Sequence, residues 1–187
     1  MTRVDLQPAV DRIIEITGAL PAGDSRPTPC ADWPVAELLA HLRGLAIEFR
    51  AAAEKAEPEG ASDEGTPQDT DDLDERLREM ATAWLPADAW EGTTRVAGMD
   101  LSGELTGRVA LGELVLHGWD LARATHQPYS ITDVESDVLE RTCRELRRGN
   151  DGEIPGLFGP VVALSPGAEP FERVLALSGR DPNWEPA

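Results

Sequence analysis

ELTGRVALGELVLHGWDLARAT, residues 104–125, has the pattern of one long α-helix. Its apolar side chains occur over most of the helix circumference, which is typical of a helix buried on several sides. We therefore predict that this helix lies at the centre of the fold.

Three more long helices are predicted around it. Apolar side chains recur every three to four residues in residues 4–17 and again in a stretch that begins at Pro34 and ends near residue 55. Residues 131–148 predict a last long helix, which Gly149 ends. Four long helices without alternating strands predict an all-α bundle.

The segments between these helices predict smaller elements. Residues 73–84 carry apolar side chains on one face and predict a short helix, and residues 85–103 could form a small hairpin around Gly98. The tail, residues 150–187, is rich in Pro and Gly with one short helical run near 170–178. We predict that this tail packs on the bundle surface.

Connection lengths predict the topology. Short linkers make the first two helices antiparallel neighbours, and likewise the last two. The 48 residues from 56 to 103 form a crossover long enough for the middle two helices to run parallel. The prediction is an up-down-down-up four-helix bundle within residues 1–149, followed by the irregular C-terminal tail, 150–187.

Charge and composition exclude several functions. The chain has 17 basic and 35 acidic residues, a net charge of −18, which makes nucleic acid or an anionic membrane an improbable partner. Residues 54–75 carry ten acids and one lysine, so half of the excess lies around a loop at 56–72 that we predict to be solvated and flexible.

Cellular location is predicted from what the sequence lacks. No apolar run approaches the roughly 20 residues that cross a bilayer, and the N-terminal residues lack the apolar core of a signal peptide. Two cysteines, Cys30 and Cys143, are too few for a disulfide scaffold. We expect a cytoplasmic protein with reduced thiols.

Three residues predict a metal site. Glu113 and His117 are four positions apart and lie about 40° apart on one helix face. His41 lies at the edge of the apolar stripe of the second helix and can face them if the two helices are adjacent. Two imidazoles and one carboxylate suit Zn²⁺, or another borderline ion such as Ni²⁺, with an open position. Asp120, one turn on, could support a ligand.

Simpler interpretations of the same residues stay open. Glu113 and His117 could form an ordinary i,i+4 pair, and His41 could be a half-exposed histidine without a ligand role. His126, nine residues beyond His117, lies on roughly the opposite face of the helix, so we exclude it from the site.

Three strings of the sequence carry a resemblance to a known family: TPCADWPVAELLAHLRG (28–44), ELVLHGWDLARAT (113–125) and FGPVVALSPGAEPFERVLALSGRDPNW (158–184). They resemble an actinobacterial family of DinB-like metal-binding proteins, related to the N-terminal metal-binding domain of mycothiol-dependent maleylpyruvate isomerase. The resemblance implies the same up-down-down-up bundle. It also implies that His41, Glu113 and His117 bind a divalent metal.

The sequence departs from this family at three places. Pro34 stands where relatives have Ser or Thr, so the cap of the second helix must come from elsewhere. His126 stands where relatives usually have Gly, so this helix end need not be left-handed. The tail is too short for the isomerase's C-terminal domain, so we expect an activity other than maleylpyruvate isomerisation.

The expected function, from the resemblance, is that of a zinc-dependent mycothiol S-transferase or isomerase-like enzyme. The metal would bind mycothiol or a similar small-molecule thiol and present it to a small electrophile. The alternative is a non-catalytic bundle that binds a structural metal or a small ligand. Bundles of this size often pair, so a homodimer is left open.

Four other residues have two interpretations each. Cys30 could be a fourth metal ligand or a packed thiol. Trp33 and Trp119 could line a pocket or anchor helix packing, and Arg123 could bind a substrate carboxylate or form an ion pair with Asp or Glu.

Overall fold

The computed structural model of the chain describes residues 3–21, 23–30, 33–58 and 71–186. Six helices and one hairpin make up its regular structure, together with a 3₁₀ turn at Ala87–Trp90, and the all-α prediction is confirmed. In chain order the elements are α1 (Gln7–Thr17), α2 (Val35–Glu54), α3 (Leu73–Ala83), β1 (Thr93–Val96), β2 (Met99–Ser102), α4 (Gly103–Ala124), α5 (Asp133–Arg147) and α6 (Pro170–Leu177). Most of the predicted acidic loop, residues 59–70, lies outside the described residues.

The bundle consists of α1, α2, α3 and α4. Helices α1 and α2 lie across it from each other, and each packs against both α3 and α4. Helix α5 lies outside these four helices and packs against α4, and α6 packs on α5. The prediction that the first two helices are neighbours is therefore wrong, and α3 takes the bundle position that we assigned to α5. The reason is the buried apolar face of α3, formed by Leu73, Leu77, Met80 and Ala81.

The directions of α2 and α3 follow from two ion pairs. Arg43 of α2 binds Asp72 at the start of α3, and further along Arg50 binds Glu79 at 2.8 Å. The two helices therefore run parallel. They are the two descending helices of the up-down-down-up bundle.

Helix α4 runs antiparallel to α2. Near the end of α2, the Trp84 indole N–H donates to the Phe49 carbonyl at 3.0 Å, and the same indole lies against Gly107 near the start of α4. At the other end, the rings of His41 and His117 are 5.0 Å apart. The prediction that these two helices run parallel is wrong.

The hairpin predicted around Gly98 is confirmed. Strands β1 and β2 pair antiparallel, with Val96 opposite Met99. Ala97 and Gly98 form the two-residue turn with φ of 48° and 74°, the left-handed pair that a tight hairpin requires. The hairpin leads directly into α4.

Gly107 allows the close packing of α4 against two tryptophans. A Cβ at this position would lie 2.5 Å from the Trp90 ring and 2.9 Å from the Trp84 ring. Both indoles are buried, and neither can move without disturbing the core. Gly112, on the same helix, has only an ordinary contact at 3.6 Å.

We predict opposite effects of alanine at these two glycines. Gly107→Ala should lower the free energy of unfolding by about 1–3 kcal/mol, because the methyl group overpacks the core. Gly112→Ala should raise it by up to about 1 kcal/mol, because alanine favours the helix. Urea unfolding of both variants and the wild type measures the difference. Equal effects of the two substitutions would contradict the packing described for Gly107.

The start of α2 is capped by backbone from the preceding loop. Pro34 has no capping side chain, but the carbonyls of Arg26 and Asp24 accept from the N–H groups of Val35 (3.0 Å) and Ala36 (2.8 Å). Asp24 is buried and bound by the Arg26 guanidinium, which holds this loop in place. The prediction that the cap comes from elsewhere is confirmed.

The end of α4 is left-handed. His126 has φ of 56°, and the N–H of Gln127 donates to the Ala122 carbonyl at 2.9 Å to close the turn. The prediction that this end need not be left-handed is wrong, because His126 adopts the same conformation that a glycine would.

The tail is tied to the bundle by arginines. Arg147, at the end of α5, is only 3% exposed, and its guanidinium donates to four tail carbonyls, those of Asn150, Gly152, Gly159 and Leu177. On α4, Arg123 donates to the Trp184 carbonyl. Arg123 thus binds a backbone carbonyl, and the ion pair that we predicted for it is not among the contacts of the described residues.

No helix among the described residues has the length and apolar character needed to span a membrane.

Candidate metal centre

The candidate metal centre lies where α2 meets α4, and it brings together the three residues predicted from the sequence. His41 Nε2 is 4.0 Å from Glu113 Oε2, and His117 Nε2 is 3.1 Å from the same oxygen. One donor atom of each residue lies within 4.8 Å of the other two. Donors around one tetrahedral zinc are about 3.4 Å apart, so small side-chain shifts suffice for all three to reach one ion.

The helix geometry explains why these residues converge. Glu113 and His117 share one face of α4 because they are four residues apart. Helix α2 crosses this face and contributes His41 alone. His41 can face Glu113 and His117 whether α2 runs parallel or antiparallel to α4. The three residues therefore lie together although the predicted direction of α2 relative to α4 is wrong.

The three donors are accessible from one side. The side chains of His41 and Glu113 are 27% and 23% exposed, whereas His117 is 6% exposed. Within the described part of the chain, no other His, Cys, Asp or Glu joins this set. An ion held here would keep an open coordination position, as catalytic zinc sites do.

Asp120 and Arg180 support His117 from behind. Asp120 is fully buried, and its Oδ2 lies 3.0 Å from His117 Nδ1. Arg180, from the tail, binds both carboxylate oxygens of Asp120 at 2.8 and 2.7 Å. An N–H at Nδ1 bonded to Asp120 directs Nε2 toward Glu113, where Nε2 can bind a metal once it has lost its proton.

Trp33 covers His41. The two rings are stacked with centroids 4.0 Å apart, and the Trp33 ring lies edge-on to His117 at 5.9 Å. Trp33 therefore lies beside the candidate ligands and also packs against the hydrophobic core, and a pocket-lining role for it stays a prediction. Trp119 is instead buried in the core, which confirms the packing interpretation for this residue.

The electrostatics prepare the set for a cation. Burial and the neighbouring charge of His117 lower the pKa of His41 to about 4, although Glu113 acts in the opposite direction. Burial would raise the pKa of Glu113, but the hydrogen bond and charge of His117 bring it below its usual range. At neutral pH, His41 is a neutral imidazole and Glu113 a carboxylate, the forms that bind metals.

His117 is held between two carboxylates. Burial lowers the pKa of His117, but its bonds to Asp120 and Glu113 outweigh burial and raise it. Burial would likewise raise the pKa of Asp120, but the charge of Arg180 and the bond to His117 lower it. Metal binding should therefore displace a proton from His117 Nε2 while Asp120 stays ionised.

Cys30 lies near the site but in a different group. Its thiol sulfur is within 4.8 Å of donor atoms of His117 and Asp120, in a group that does not include His41 or Glu113. The proposed three-ligand site does not use Cys30, and its two interpretations, fourth ligand or packed thiol, stay predictions. Cys143 is buried in the core, and burial raises its pKa to about 12. His126 is exposed and outside both groups.

Sequence reasoning missed Arg180. The residue is 60 positions from Asp120, and no local pattern pairs the two. The only signal was the string SGRDPNW within the tail that resembles the family, where we assigned no role to the arginine.

The family is decided by a model of the mycothiol maleylpyruvate isomerase N-terminal domain, which matches residues 6–122. The chain belongs to this family. The match covers α1 to α3 and all of α4 except its last two residues, and it includes all three candidate ligands. A search of curated proteins finds no match to the sequence.

Two solved structures share the fold of this chain. Both are of the mycothiol-dependent maleylpyruvate isomerase, one of them a mutant with a histidine replaced by alanine. The mutant is 15% identical, with a TM-score of 0.61 over 79% of this chain and 70% of that one. The second is 17% identical, with a TM-score of 0.57 over 74% and 66%. At these identities the likeness shows the fold alone.

Proposed function

We propose that His41, Glu113 and His117 hold one divalent metal ion, with Zn²⁺ as the first candidate. We also propose that the chain transfers a small-molecule thiol, mycothiol or a similar one, to a small electrophile. The observation that supports this proposal is the convergence of two imidazoles and a carboxylate at an accessible point of the bundle. Membership of the isomerase-domain family supports the thiol as the second substrate.

The donor set fits the proposed ion. Zinc accepts nitrogen and carboxylate oxygen ligands in this combination, and three protein ligands leave one position for an exogenous group. Glu113 contributes the negative charge that partly neutralises the cation. A bound divalent metal would lower the pKa of a coordinated thiol and so favour the thiolate at neutral pH.

The residues around the ligands have distinct roles in the proposed reaction. Asp120 accepts a hydrogen bond from His117 Nδ1 and fixes the orientation of its ring. Trp33 stacks on His41, limits its rotation and shields it from water. The exposed edges of His41 and Glu113 define the side from which thiol and electrophile approach.

The test is a thiol-transfer assay on the zinc-loaded protein. A low-molecular-weight thiol and a chromogenic electrophile should react at least about 10-fold faster with zinc-loaded protein than without it, because only a few per cent of a free thiol is ionised at pH 7. Chelated wild type and His117→Ala should give the uncatalysed rate. A zinc-loaded wild type without any acceleration would contradict the catalytic proposal.

The non-catalytic alternative predicts a different response to chelation. A structural zinc contributes directly to folding, so its removal unfolds the protein. We expect the apo chain to keep its helical circular dichroism, because a large apolar cluster shared by the bundle helices stabilises the fold without a metal. Loss of the helical signal on chelation would favour the structural metal.

A further inference from the structure

We propose that Arg180 transmits the state of the C-terminal tail to His117 through Asp120, so that docking of the tail and affinity for the metal are coupled. This inference rests on the proposed metal site. It adds a positioning residue that lies outside the bundle and outside the segment matched by the family model.

The first step is the contact itself. The Arg180 guanidinium binds both oxygens of Asp120 at 2.8 and 2.7 Å, and its Nη2 is 3.5 Å from His117 Nδ1. The Arg180 side chain is 10% exposed and that of Asp120 is 0% exposed. A bidentate pair fixes the plane of the carboxylate, and the carboxylate in turn fixes the His117 ring.

The second step is how the tail presents Arg180. Helix α6 ends in a left-handed turn at Gly179, with φ of 86°, and the N–H of Arg180 donates to the Leu175 carbonyl at 2.9 Å. The Gly179 backbone packs directly on Gly159, where a Cβ would meet Cα at 2.5 Å. The position of Arg180 therefore depends on the folded shape of the tail.

The third step is the loss of orientation on separation. Without Arg180, the buried Asp120 carboxylate loses the two hydrogen bonds that fix its plane and keeps, among the described residues, its hydrogen bond with His117. The carboxylate can then turn or move away from the ring, and His117 loses the orientation in which Nε2 faces Glu113. By reciprocity, an ion that fixes His117 strengthens the hold of Asp120 on Arg180 and stabilises the docked tail.

The experiment compares two tail arginines that each bind a carboxylate on a neighbouring helix, Arg180 on α4 and Arg173 on α5. Arg180→Gln should weaken Zn²⁺ binding by about 10- to 100-fold, measured by competition with a chromophoric chelator. Arg173→Gln removes the pair between α6 and Glu140 (3.1 Å), which is remote from the ligands, and should leave affinity within about 3-fold. Arg180→Lys should restore part of the affinity, because it returns the charge but not the bidentate geometry.

A second measurement covers the case in which Arg180→Gln does not fold. Hydrogen exchange of wild-type tail amides, including that of Arg180, should slow several-fold when Zn²⁺ is added, because the coupling is reciprocal. If Arg180→Gln binds zinc as tightly as the wild type, the coupling is overturned and the metal site is unaffected. The same holds if zinc does not change hydrogen exchange of the tail amides in the wild type. A wild type that binds no Zn²⁺ would instead overturn the proposed function itself.

Discussion

His117→Ala should abolish tight zinc binding, with a loss of affinity greater than the roughly 10- to 100-fold produced by removing a residue that only supports a ligand. The substitution removes the Nε2 donor that lies 3.1 Å from Glu113 Oε2. It also removes the hydrogen bond between His117 and the buried Asp120, which keeps its ion pair with Arg180. The remaining His41 and Glu113 supply two donors, and two donors do not hold a zinc ion tightly against water.

The chain provides a matched control for this experiment. His126→Ala removes the third histidine, which is exposed and lies outside both groups of donors, and it should leave zinc affinity unchanged. His41→Ala should behave like His117→Ala in affinity but should disturb folding less, because His41 is more exposed. Competition with a chelator measures all three variants. Zinc binding by His117→Ala that matches His126→Ala would contradict the assignment of ligands.

Arg147→Ala should lower the free energy of unfolding by about 3–5 kcal/mol, comparable to breaking a buried ion pair. Its guanidinium holds four carbonyls from three separate parts of the tail and lies over the Phe158 ring at 5.3 Å. Alanine would leave these carbonyls without this donor, and those of Gly159 and Leu177 belong to half-buried residues.

Thermal unfolding measures this effect against a neighbour on the same helix. Arg144→Ala removes an exposed pair with Glu140 and should change the free energy of unfolding by less than about 0.5 kcal/mol. Arg147→Ala should lower Tm by about 10 °C. Similar Tm values for the two variants would mean that the tail does not depend on Arg147.

Local sequence patterns were sufficient to predict most of the helices. They did not show which helices pack against one another. The 11 residues of α3 resembled a minor helix inside a crossover, because the acidic segment before it contains no large apolar residue. Its buried Leu77 and Met80 nevertheless fill the bundle between α1 and α2. Helix length was therefore a poor guide to which helix completes the core.

The candidate site was predictable as far as helical spacing reaches. Glu113 and His117 follow from an i,i+4 interval, and Asp120 follows from the next turn. Arg180 and the backbone cap at Arg26 depend on long-range chain paths that no periodicity encodes. The left-handed His126 was missed because a non-glycine residue rarely adopts that conformation.

X-ray absorption at the zinc edge of the loaded wild-type chain tests the central claim most directly. The account predicts one zinc per chain with nitrogen and oxygen neighbours at about 2.0–2.2 Å and no sulfur, and one sulfur at about 2.3 Å after a small-molecule thiol is added. Zinc that already carries a sulfur neighbour without added thiol, or a chain that retains no zinc, would contradict it.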